Sequence, residues 1–200
     1  MERISTKVYR APNGNLNKLG YMTLQPLIKQ NLDILFVGIN PHPLGVKKDA
    51  YFSNSGALWN QLSEVGITAE RIDCRKLLKL NMGITNIVLR PSVTSSEVSK
   101  KDLEEGRERL LKEAEFAKPK VLCFIGKMPY LGLTKKKQCN YGWQEEAIYG
   151  AKCFVTMFPT FRCSKQKKIE VLQNLPKGCK DLGIELPKSL QMRLVVKYET

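Results

Sequence analysis

The sequence predicts an α/β fold, a three-layer α/β/α sandwich around a mainly parallel central sheet. Two observations carry this. Short, nearly continuous apolar runs recur along the chain, as strands buried on both faces require. Between them lie longer stretches with apolar residues at helical spacing, which places helices on both sides of the sheet. At 200 residues, with 42% apolar and 26% charged side chains, the chain is long enough for one such domain.

The elements follow in order. Residues 1–30 read as a basic arm or lead-in, with Pro12, Asn13, Gly14 and Asn15 marking a loop. Residues 31–183 carry the strand and helix pattern, and 184–200 read as a weakly patterned tail. Residues 32–39 form the first apolar run, stopped at Asn40-Pro41, where proline removes a ladder donor and holds Asn40 extended. Leu58, Trp59, Leu62 and Val65 then sit at helical spacing. Residues 84–88 are the second strand. Ser99 followed by Asp102 signals a helix start. In that helix Leu103, Leu110, Leu111, Ala114 and Ala117 share one face, and Glu104, Glu105, Arg109 and Lys112 are expected to face water. Residues 121–126 and 153–158 are the third and fourth strands. A basic helical stretch runs from Ser164 to about Leu182.

Parallel sheets place their sites beyond the carboxyl ends of the strands. Three polar-plus-proline segments fall there: Asn40-Pro41, Arg90-Pro91-Ser92 and residues 159–162. A net charge of +14 points to a polyanionic partner. Lys118, Lys120, Lys127, Lys135, Lys136 and Lys137 cluster without a carboxylate among them, which favours a basic face. Six cysteines with no Cys-x-x-Cys pair, and the single histidine His42, argue against a metal site of standard spacing. No cofactor is expected. The sequence holds no run of roughly 18 apolar residues, so no membrane-spanning helix is expected, and no secretory signal is seen.

Several blocks carry a resemblance. Residues 35–41, ending Gly38-Ile39-Asn40-Pro41, are followed by Tyr51 eight residues before Trp59. Then come residues 83–92, Glu97-Val98-Ser99-Lys100, Ile125-Gly126-Lys127 and residues 157–163. In this order and spacing, over about residues 32–183, they resemble the mismatch-specific uracil/thymine-DNA glycosylase family, within the uracil-DNA glycosylase-like fold. The resemblance implies a monofunctional glycosylase of base excision repair. It would act on double-stranded DNA carrying uracil, or thymine or a damaged cytosine, mispaired with guanine. It also implies a monomer and, through Asn86 and the Arg162-Cys163 pattern, a nuclear protein; a prokaryotic protein would work in the cytoplasm. A DNA protein that binds mismatches or damage with little catalysis is the alternative.

By this resemblance Asn40 holds the attacking water through its side-chain oxygen. Its amide does not titrate near pH 7, so it orients the water and removes no proton. Ile39, Tyr51, Asn86 and Ser92 surround the base, with Tyr51 stacking on it. Phe161 and Arg162 enter the stack that the flipped nucleotide vacates. Lys165, Lys167 and Lys168 contact phosphates. The chain departs from the family at His42, where glycine is usual, at Gly56-Ala57, and at residues 157–160. His42 stands close enough to the water's place to raise the idea of a proton acceptor.

Overall fold

A computed structural model of the chain describes residues 23–52, 56–160 and 162–187. The expected arm up to residue 22, Phe161 and the tail from residue 188 lie outside the described residues. Among the described residues five strands form one sheet: β1 (Ile34–Gly38), β2 (Met82–Asn86), β3 (Val121–Ile125), β4 (Gly142–Ile148) and β5 (Ala151–Thr156). Their spatial order is β2-β1-β3-β5-β4. The first four run parallel, and β4 pairs antiparallel with β5 at one edge.

Alternation along each strand builds the two cores. Ile34, Phe36, Val121, Cys123 and Phe154 point to one face, under α2 (Ala57–Glu64), α5 (Lys165–Leu172) and α6 (Asn174–Asp181). Leu35, Val37, Leu122, Phe124 and Val155 point to the other, under α3 (Lys100–Ala117) and α4 (Lys127–Thr134). This is the expected three-layer sandwich. The short helix α1 (Pro43–Lys47) leads directly out of the first strand–loop junction. Burial pushes the Cys153 thiol up to about 11 and the Cys179 thiol up to about 12, so both sit in the core as thiols.

Three differences from the sequence reading have physical reasons. The folded body starts before residue 31, because Leu24 and Ile28 are buried and Leu27 bridges to Ile84. Strand β4 escapes the apolar pattern because it is an edge strand carrying Gln144, Glu145 and Glu146. It is fixed by Trp143, whose ring packs edge-on against Phe154 at 5.1 Å and whose Nε1 donates to the Asn174 carbonyl. The turn into β5 is Tyr149-Gly150, both at positive φ, as a type I′ hairpin requires. The basic stretch after Ser164 breaks into α5 and α6 at Gln173. Pro176 falls in the first turn of α6, where no helical N–H is needed.

The expected cap of α3 forms: Ser99 Oγ accepts from the Asp102 N–H, and Asp102 accepts from the Ser99 N–H at 2.9 Å. Asp102 also takes a two-pronged bond from Arg90, tying the loop that carries Ser92 to the start of α3. Arg90 and the Ser99 groups together hold the Asp102 carboxyl well below its ordinary range.

Candidate active site

The carboxyl ends of β1, β2, β3 and β5 open into one cavity of about 610 Å³. Its lining includes Asn40, His42, Phe52, Asn86, Ser92 and Lys127. None of the described lining residues carries a carboxylate. Among the described residues no group of three His, Cys, Asp or Glu side chains is placed to hold a metal ion.

Asn40 is oriented by its surroundings. Its Nδ2 donates to Ser92 Oγ at 2.8 Å, to the Ser92 carbonyl at 3.0 Å and to the Pro41 carbonyl at 3.2 Å. Carbonyls only accept. Ser92 Oγ donates its own hydrogen to the Thr94 carbonyl, so towards Asn40 it accepts as well. The network therefore assigns nitrogen to that side of the amide. It leaves Oδ1, an acceptor, with no bond to a described donor. Asn40 lines the cavity, and Oδ1 is the end of its amide that no described residue engages.

Asn86 closes the base of the pocket at the last residue of β2. It is 2% exposed, and no described residue hydrogen-bonds its side-chain amide. A buried amide without partners costs free energy unless a ligand satisfies it. Gly38 faces it across the β1–β2 pair: a Cβ there would lie 2.2 Å from Asn86 Oδ1. Glycine at position 38 is thus what lets the Asn86 amide lie against β1.

Ile39 and Ser92 line the cavity as well, both almost fully buried. Tyr51 reaches the lining, but it is 3% exposed and belongs to the core beneath α2. Its hydroxyl donates to the Gln25 carbonyl at 3.1 Å, and its own carbonyl accepts from Trp59 Nε1. Its neighbour Phe52 is a half-buried aromatic of the pocket lining, as Tyr141 is, and it is held at φ 50° and packed against Trp59 and Phe158. Sequence reading passed over Phe52, which follows Tyr51 directly in the loop between α1 and α2.

His42 caps α1. Its Nδ1 accepts the Leu44 N–H at 3.1 Å, so the neutral ring carries its proton on Nε2. The free ring nitrogen is then a donor, which removes the basis for His42 as the water's proton acceptor. Arg162 is exposed, three residues beyond Pro159 and outside the cavity lining. Lys165 pairs with Glu64 at 2.7 Å, and Lys167 is exposed.

Lys168 departs from its expected phosphate role. It is 9% exposed, and its Nζ donates to the Pro159 carbonyl at 2.9 Å, bracing the cavity-lining loop. The lysine cluster of residues 118–137 also separates in space. Lys120 sits before β3, at the far end of the sheet from the cavity, and pairs with Asp33. Lys135, Lys136 and Lys137 follow α4, which runs back from the cavity end, and Lys136 pairs with Glu146. Only Lys127 of that group lines the cavity, its ammonium 4.6 Å from the centre of the Tyr141 ring.

Arg109 also differs from expectation. It does not face water freely, but pairs with the buried Glu113 and reaches the backbone of β2.

These features sit in a chain whose residues 25–175 match a family model described as the uracil DNA glycosylase superfamily. The match covers most of the chain, and the protein belongs to that superfamily. It is a DNA glycosylase of the uracil-removing class, and DNA is its substrate.

Proposed function

We propose that the protein is a monofunctional glycosylase that hydrolyses the N-glycosidic bond of uracil mispaired with guanine in duplex DNA. The observation that carries this is the amide of Asn40. With Nδ2 committed to Ser92 and Pro41, Oδ1 is the group available to hold a water below the sugar of a flipped nucleotide. Bond breaking builds positive charge on the sugar, and a positioned water intercepts it without needing a strong base. The absence of a carboxylate among the described lining residues fits an orienting role and a weak pH dependence.

Asn86 supplies the recognition. Its amide has both donor and acceptor capacity, which matches the alternating carbonyl and N–H groups along a uracil edge. Phe52 stacks on the base, and the exposed Phe158 beside it widens the apolar wall. The mispaired base is favoured before any contact forms, because flipping it breaks a weaker pair. Arg162, beside Phe161, fills the stack, and Lys165 and Lys167 contact phosphates. Lys127 Nζ is engaged by the face of the Tyr141 ring, 4.6 Å from its centre, and the proposed hydrolysis uses no lysine nucleophile.

The test is single-turnover release of base from duplexes carrying uracil opposite guanine, uracil opposite adenine, and thymine opposite guanine. The expected result is abasic product, fastest from the uracil–guanine mispair, with no borohydride-trappable adduct. Tight binding without release from any duplex would overturn the reading in favour of a mismatch-binding protein.

A further inference from the structure

A buried ion pair lies directly behind Asn86 and takes no part in the chemistry above. Glu113 has no exposed surface, and Arg109 lies one helical turn before it on α3. Arg109 Nη1 donates to Glu113, while Nη2 donates to the carbonyls of Asn86 and of Ile87, the latter at 3.0 Å. The other Glu113 oxygen accepts the Thr85 hydroxyl at 2.9 Å. Three consecutive residues, 85 to 87, are thus held by one charged pair.

The sheet explains why these carbonyls need a partner. Strand β2 is at the sheet edge, and Ile84 turns its outer N–H and C=O to Leu27 at 3.0 and 2.9 Å. Two residues on, Asn86 turns the same edge outward, beyond the reach of that bridge. For the Asn86 carbonyl, Arg109 supplies the donor that a neighbouring strand would otherwise give, and the same Nη2 also reaches the Ile87 carbonyl.

Gly106 makes the reach possible. A Cβ at 106 would lie 1.9 Å from the Ile87 carbonyl oxygen, so α3 touches the backbone just past β2 only because that side chain is missing. Positions 106, 109 and 113 share one face of the helix. A buried ion pair is weak evidence for stability, since an apolar pair of like volume packs as well or better. What an apolar pair cannot do is hold two carbonyls in place.

We propose that Gly106, Arg109 and Glu113 form a positioning clamp on the Asn86–Ile87 backbone, which fixes the Asn86 amide and so governs how productively the pocket holds uracil. The clamp rests on the proposed reading of Asn86 as the group that meets the base edge.

Three variants test it: Arg109→Lys, which loses the planar fork; Glu113→Gln; and the double change Arg109→Met with Glu113→Leu, which leaves no unpaired buried charge. Each is made in the natural chain and in an Asn86→Ala background, and single-turnover uracil release is read below every variant's Tm. The expected result is a loss on the order of 10- to 100-fold in the natural background. In the Asn86→Ala background the same changes are expected to cost less than about 3-fold, because the group they position is gone. Equal losses in both backgrounds, or no loss in the natural one, would overturn the clamp while leaving Asn86 as base reader. An Asn86→Ala chain that releases uracil at the natural rate would overturn the base-reading role and the clamp together.

Discussion

Replacing Gly38 with alanine separates fold from function in this site. The added Cβ would lie 2.2 Å from Asn86 Oδ1 and 3.2 Å from the tip of Phe52. Ordinary contact begins near 3.4 Å, so the Asn86 amide must retreat by roughly 1.2 Å, a displacement of the size that costs about 100-fold in rate. That corresponds to about 2.7 kcal/mol of transition-state stabilisation. The atom that moves is the end of a side chain rather than backbone, and Gly38 has no positive φ, so the fold is expected to tolerate the change. Single-turnover release of uracil from a uracil–guanine duplex, read beside a thermal melt, is the assay. The reasoning is refuted if Gly38→Ala releases uracil at the natural rate, or if activity and Tm collapse together.

Three further outcomes are expected. Phe52→Ala should weaken productive base binding by about 1–3 kcal/mol, whereas Tyr51→Phe should cost about 1 kcal/mol of stability through the lost bond to Gln25 and leave release unchanged; single-turnover rates and urea titrations of both variants decide it, and the reverse pattern would restore Tyr51 as the stacking ring. Lys167→Ala should reduce the salt slope of DNA binding by about one, while Lys168→Met leaves that slope unchanged because its ammonium already serves Pro159; equal slope changes would contradict this. Asp102 has its folded pKa lowered, chiefly by Arg90, so its stabilisation is present above its ordinary 3.8 and lost as pH falls through the lowered value. Acid titration of Asp102→Asn should accordingly show a shallower loss of stability below about pH 4 than the natural chain.

The layered fold was legible because burial on two faces leaves a simple trace: runs such as residues 34–38 and 121–125 have no polar face to hide. Edge strand β4 left no such trace, since its middle carries Gln144, Glu145 and Glu146 and only Trp143 and Ile148, near its two ends, add large apolar groups to the core. Asn40 and Ser92 were legible from their places beside prolines after strands, and Asn86 only through the family resemblance. The charged groups were not. A helical wheel puts Arg109 on the polar face, and nothing in the pattern tells that this face meets the backbone just past β2 through Gly106. The lysines of residues 118–137 are neighbours in sequence but straddle both ends of the sheet, because β3 and α4 run in opposite directions between them. Lys168 reads as a phosphate contact only until its loop partner, Pro159, is placed in space.

The central claim is that Asn40 Oδ1 positions the water that releases uracil. Its most direct test compares the natural chain with Asn40→Ala on a uracil–guanine duplex, measuring equilibrium DNA binding and single-turnover release side by side. The account predicts binding within a few-fold of the natural chain and release slowed by at least about 100-fold. Release at the natural rate from Asn40→Ala, with DNA bound as well as before, would contradict it.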